Sequence, residues 1–265
     1  MSDLSGYRRR FLDYVEEFRG VPDAAPLRLK VEHTFRVVAH AEAIVESLAE
    51  DRDEHVWFQN SDACRAAVLA ALYHDCGRFP QFRRYRTFLD AKSVNHAVLS
   101  FQTMRDRKFL EEENPHIRKL AQCAVLLHNR YRLSPLLAAE ARFVTDVVRD
   151  SDKLDIFRIM VSYLGNALPE RDAVLLHVKD DPEKWSPRVV EDVLQRRVAR
   201  YVDLRFVNDF RLLLGTWMFE LRFSATRHAL ADSGLMEAVL EGLPDSPDLK
   251  PAKDRLYSVL ECCRD

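Results

Sequence analysis

Ala70-Ala71-Leu72-Tyr73-His74-Asp75-Cys76-Gly77-Arg78-Phe79-Pro80 is the stretch that decides the reading. An apolar helical run ends in adjacent His and Asp, and Gly77 follows two residues after Asp75. Glycine suits the left-handed conformation that closes many helices, so Gly77 is read as the stop. A neutral imidazole beside a carboxylate offers one nitrogen and one oxygen ligand to a divalent metal. The dipeptide alone is a weak signal. Its weight comes from His33 before it and from His96, His128 and Asp150 after it.

Helical patterns extend to both sides. Residues 7–19 carry Phe11, Tyr14, Val15 and Phe18 on one face, and a long helix is predicted from Leu27 to Ala49. Within it Leu29, His33, Val37, His40, Ile44 and Leu48 share one stripe, so His33 is expected to face inward. Ser61 is the expected N-cap of the helix that ends at His74-Asp75. Asp90 or Ser93 is the expected cap of the next helix, which holds His96. Asn114-Pro115 and Ser134-Pro135 each read as a cap followed by proline in the first turn. The first opens a helix running to His128-Asn129-Arg130. The second opens one through Phe143, Val147, Asp150, Leu154, Phe157 and Val161.

The 265 residues are 47% hydrophobic and 31% charged, with a net charge of -2. This is an ordinary globular composition, without the excess of cations that coats nucleic acid. Only 7 glycines occur and period-two alternation is scarce, so the predicted class is all-α. The five cysteines form no C-x-x-C pair and read as free thiols of a reducing cytoplasm. No stretch reads as a signal peptide or membrane span. The chain changes character after Gly165. Long helical tracts are expected over 188–206 and 209–230, then shorter helices near 233–241 and 248–262. The expected organisation is a metal-binding helical domain over 1–165 and a C-terminal helical extension over 166–265, the two forming separate units or one continuous domain. His177 and His228 are isolated and read as structural or surface residues.

Two choices concern charge. Between Asp150 and Asp152, Asp150 lies on the apolar stripe, and a carboxylate in that company costs several kcal/mol unless a cation compensates it. Asp150 is therefore the expected ligand. Lys153 either pairs along the helix or contacts a bound phosphate. Arg78, Arg83, Arg84 and Arg86 lie in a presumed loop between Gly77 and Asp90. They read as a solvated loop or as a phosphate-holding wall, since guanidinium forks match phosphate oxygens.

The ordered pattern H…HD…H…H…D resembles the HD superfamily of metal-dependent phosphohydrolases over residues 30–160. The segments HDCGRFPQFRRYRTF, SVNHAVLS, LLHNR and VRDSDKLDIF are similar to one bacterial branch of it. The resemblance implies an HD-domain helical bundle in which His33, His74, Asp75 and Asp150 are core metal ligands. His96 and His128 would complete a second metal site bridged by Asp75. It implies one or two divalent transition metals, namely Mn, Fe, Co, Ni or Zn, with Mg also admissible. His74, Asp75 and Lys153 are the expected catalytic groups, and Arg78, Arg83, Arg84, Arg86 and Lys153 the expected substrate-binding cations. The implied reaction is hydrolysis of a phosphomonoester or phosphodiester, with a nucleotide as the small phosphorylated substrate. An HD-fold di-iron oxygenase and a catalytically silent metal-binding regulatory module are the alternatives. Neither membrane nor nucleic acid is expected as a partner, and the C-terminal helices suit a homodimer interface or a lid. The Gly-Tyr-Pro signature of cyclic-di-GMP phosphodiesterases is absent from the sequence.

Overall fold

The computed structural model describes residues 3–22, 24–50, 61–165, 175 and 178–264. The fold is all-α. Among the described residues the only β pairing is an isolated bridge between Lys179 and Phe206. The chain divides into two compact units, Met1–Asp152 and Lys153–Asp265. The division falls inside a helix rather than after Gly165.

In the first unit, α1 (Ser5–Glu16), α2 (Ala25–Glu50) and α3 (Ser61–Tyr73) lead to the short α4 (Arg78–Tyr85). Then come α5 (His96–Asp106), α6 (Pro115–Leu127) and α7 (Ala139–Gly165), which runs on into the second unit. The centre is α3, which packs against α1, α2 and α6. Its sequence explains this. Ala63, Ala66, Ala67, Ala70 and Ala71 are all fully buried, and side chains this small let neighbouring helices come close. Phe11, Tyr14, Phe18 and Phe79 meet in edge-on and tilted contacts that seat α1 against α4.

Several boundaries differ from the predicted ones. Arg78–Tyr85 is helical, where a loop was expected. The helix holding His96 is capped by Asn95, whose side chain accepts from the Val98 N–H. Helix α7 starts at Ala139, not at Ser134-Pro135. Leu29 is 44% exposed and so falls outside the inward side of α2, where Leu27 and His33 are buried. Asn114 caps α6 as expected, accepting from the N–H groups of His116 and Ile117.

The second unit holds α8 (Pro187–Leu194), α9 (Val207–Trp217), α10 (Ser224–Asp232), α11 (Leu235–Glu241) and α12 (Lys250–Cys262) around its own apolar cluster. The two predicted long tracts are each broken. The first stops at Leu194, and Arg196 adopts a positive φ of 53° just beyond it. The second is interrupted by a 3-10 turn at Met218–Glu220. Asp209 joins α8 to α9: its carboxylate accepts from the backbone and hydroxyl of Ser186 and from the N–H groups of Arg205 and Phe206. His177 lies outside the described residues.

Candidate metal centre

Two helix ends set the geometry. His74 closes α3 and His128 closes α6. Each ring turns back so that Nδ1 lies 2.7 Å from a carbonyl of its own last turn, Ala71 for His74 and Val125 for His128. A carbonyl only accepts, so each Nδ1 carries the proton and donates it. Each Nε2 is then left to point forward. His96, at the start of α5, is held from outside its helix: its Nδ1 donates to Asp90 Oδ2 at 2.7 Å.

Gly77 brings these pieces together, though not by a left-handed turn, since its φ is -68°. A Cβ at Gly77 would lie 2.4 Å from the Ser100 nitrogen and 2.8 Å from the His96 carbonyl oxygen. The turn after Asp75 therefore presses directly on the backbone of α5. Its N–H donates to the Ser100 hydroxyl, and the Tyr14 hydroxyl donates to the Cys76 carbonyl on the other side.

Asp75 sits at the middle and divides its two oxygens. Oδ2 lies 3.7 Å from both His33 Nε2 and His74 Nε2. Oδ1 lies 3.6 Å from His96 Nε2 and 3.9 Å from His128 Nε2. Two donor groups result, His33–His74–Asp75 and Asp75–His96–His128, both fully buried and sharing one carboxylate. The first gains a further oxygen, Asp152 Oδ1, at 3.2 Å from His33 Nε2 and 3.7 Å from His74 Nε2.

The aspartate seen beside the histidines is thus Asp152, whereas Asp150 was the expected ligand. Two residues along a helix turn a side chain by about 200°. Asp152 faces His33 and His74, and Asp150 is 1% exposed. Lys153 is also placed differently: its ammonium pairs with Glu220 at 3.1 Å within the second unit. The arginines separate as well. Arg78 reaches the centre, with Nε 3.4 Å from Asp75 Oδ1. Because residues 78–85 wind into a helix, Arg83 and Arg84 are exposed and stack on Phe18 and Tyr85, while Arg86 donates to the Pro22 carbonyl. Sequence reasoning missed Lys30, whose ammonium lies 2.6 Å from Asp75 Oδ2. Its position one turn before His33 on the same helix was the available signal.

The electrostatics follow from this crowding. Burial opposes the charge on Asp75, but Lys30, His74, Arg78 and His96 outweigh it and hold the carboxyl well below the usual carboxylate range. Asp152 is depressed in the same way by His33 and His74. Burial disfavours an imidazolium at His74, yet Asp75 and Asp152 raise its pKa. For His128, burial and then the neighbouring His96 and His74 push it down to about 3. His96 is lowered by burial first and then by Arg78.

The donor set fits a divalent cation. His74 Nε2 and Asp75 Oδ1 are buried with no hydrogen-bond partner, which costs about 1–3 kcal/mol for each such group. His96 Nε2 and His128 Nε2 face each other at 3.1 Å. With both Nδ1 atoms protonated, neither ring has a second proton to offer in its neutral form. Facing lone pairs repel unless a cation lies between them. Mixed imidazole and carboxylate donors are those of Mn, Fe, Co, Ni and Zn sites.

No helix among the described residues is long and apolar enough to cross a membrane. No curated protein and no solved structure matches the chain. The family model for the HD domain matches residues 31–156, a span that includes every member of both donor groups and Asp152. Residues 31–156 therefore carry an HD domain.

Proposed function

We propose that this protein is a metal-dependent phosphohydrolase that cleaves a phosphomonoester or phosphodiester, with a nucleotide as substrate. The observation that carries this reading is the division of Asp75, one oxygen turned to each of two imidazole pairs. His33, His74, Asp75 and Asp152 would hold one ion, and Asp75, His96 and His128 a second. Bound divalent ions supply Lewis acidity toward a phosphoryl oxygen and lower the pKa of a water molecule toward neutrality.

The chain's own residues supply the rest. Carbonyls and Asp90 fix the three ring orientations, so the Nε2 atoms are aimed before any ligand arrives. Lys30 and Arg78 flank Asp75 from opposite oxygens. Both cations also lie over the Phe88 ring, at 5.8 and 5.7 Å. We assign them to the phosphate oxygens, in place of Lys153 and the outer arginines. Asp152 is the more open of the two carboxylates, with its side chain 20% exposed against 4% for Asp75, so substrate would approach from its side.

The test joins metal analysis of the purified protein to a panel of mono-, di-, tri- and cyclic nucleotides. Stoichiometric metal and turnover on the panel are expected, both lost in His74→Ala and Asp75→Ala with helical content kept. Oxygen consumption with no phosphate release would move the site to oxygenase chemistry. Metal without any turnover would leave a regulatory module.

A further inference from the structure

Asp90 belongs to neither donor group, yet it touches the neighbourhood of both imidazoles in the second one. Its Oδ2 accepts from His96 twice, from Nδ1 at 2.7 Å and from the backbone N–H at 3.3 Å. The amide nitrogen of Asn129, the residue after His128, approaches the same oxygen at 3.5 Å. The other oxygen, Oδ1, accepts from Arg78 at 3.1 Å and from the fully buried Gln81 at 2.9 Å. One carboxylate thus ties α4, the start of α5 and the end of α6 together.

The contrast with the other rings matters. His74 and His128 are oriented by neutral carbonyls of their own helices. His96 is oriented by a charged group from outside its helix. A carboxylate at Nδ1–H raises the basicity of the ligand at Nε2 and fixes the ring. The need is greater here, because the two donor groups are unequal. The first has oxygens from two carboxylates, Asp75 and Asp152, whereas the second has only the shared Asp75 oxygen and two imidazoles. Attraction for a second cation must come from elsewhere.

We propose that Asp90 is a positioning residue that sets the affinity of the Asp75–His96–His128 group for a second divalent cation, acting through the His96 ring. This rests on the metal-centre reading given above. Asp90 makes the difference between one ion and two. Its bonds to Arg78 and Gln81 keep the carboxylate in register with His96.

The experiment is calorimetric titration of the chelator-stripped full-length chain with Mn2+ alone. It compares the parent, Asp90→Asn, Asp90→Glu, His96→Ala and the Asp90→Asn/His96→Ala double variant. The parent is expected to bind two ions in separable steps. Asp90→Asn should weaken the weaker step by about 10- to 100-fold and leave the tighter step unmoved. In the double variant the Asn change should add nothing to His96→Ala, the non-additivity of two residues acting as one unit. Asp90→Glu, which keeps the charge, should bind the second ion more tightly than Asp90→Asn. That ordering is read even if Asp90→Asn has lost helical content. A second step of parental strength in Asp90→Asn overturns the proposal, as does a full Asn effect on top of His96→Ala, which is what a plain brace of the fold would give. A parent that binds one ion regardless of His96 also overturns it while sparing a one-metal hydrolase. A parent that binds no divalent cation sinks the proposed function itself.

Discussion

Asp150 and Asp152 sit two residues apart on one helix and illustrate two meanings of a carboxylate in an interior. Asp150 is almost completely buried, and Asp152 keeps a fifth of its side chain in contact with solvent. Substrate must reach the ion from some side, and Asp152 is the more open of the two aspartates. Asp152→Asn is therefore expected to abolish the tight metal step, measured by calorimetry. Asp150→Asn should bind metal like the parent but melt earlier, by about 1–3 kcal/mol of stability, the usual cost of disturbing a buried polar group. Retained tight binding in Asp152→Asn would return the ligand role to Asp150. The histidines and Asp75 were legible in the sequence because each sits at a helix end or on an inward stripe. Periodicity ranks positions by burial, and burial alone favoured Asp150 over the more open neighbour. Lys30 and Asp90 escaped for another reason. Lys30 looks like any polar residue near the start of a helix, and Asp90 lies in an aperiodic turn whose partner, His96, is fixed by tertiary contact.

Elements are joined here by close approach as much as by apolar area. Gly77 presses on the backbone of α5, and backbone atoms cannot swing aside as a flexible side chain does. Gly77→Ala should cost about 1–3 kcal/mol, the range for overpacking, and displace His96 with it. Thermal melting and loss of the weaker metal step would be seen together. A variant with parental melting and two intact steps would show that the contact is dispensable. A second join is the Arg65 guanidinium on α3, whose Nε and Nη2 donate to Glu113 in the turn before α6. Burial opposes the Glu113 charge, but the Arg65 and Tyr7 hydrogen bonds outweigh it and lower the pKa below 4.5. A depressed folded-state pKa gives stability that is present above the unfolded value and lost as pH falls through the folded one. Stability should thus decline below about pH 4.5, and Glu113→Gln should flatten that decline while lowering the melting temperature at pH 7. An unchanged acid limb in the variant would assign the decline to other carboxylates. Helix positions were largely readable at this scale, but the breaks after Leu194 and Trp217 were not. No Pro or Gly marks the first break, and Gly215 near the second lies inside the helix. Tertiary packing of a separate apolar cluster ends those helices where sequence propensity would continue them.

For the whole molecule, the first unit gathers four imidazoles and two carboxylates in its interior, and the second contains no comparable donor group among its described residues. Concentrating so much polarity in one core is a strain on the folded state. His96 Nε2 faces His128 Nε2, and His74 Nε2 and Asp75 Oδ1 lack hydrogen-bond partners. Divalent cations in the two donor groups resolve these conflicts, and the unfolded chain has no such site to offer them. Free energy of binding therefore becomes free energy of folding. At a free concentration of about 100 times the dissociation constant, one site adds roughly 2.7 kcal/mol. For a unit of this size that corresponds to about 5–10 °C in melting temperature. Scanning calorimetry of chelated and Mn2+-loaded protein should show that rise, with far-UV helical signal nearly equal in the two states at 20 °C, because the alanine-lined packing of α3 owes nothing to the ion. Asp75→Ala should not respond to Mn2+ at all, and His74→Ala should respond less than the parent. Asp75→Ala should also melt above the chelated parent if crowding of the imidazoles by an uncompensated acid is the lesser effect, and below it if Asp75 is what holds Lys30, His74 and Arg78 together. The two cations that flank this carboxylate, Lys30 and Arg78, favour the second outcome. Equal melting of chelated and loaded parent protein would mean that the donors are satisfied by one another and that the convergence on Asp75 serves the fold alone.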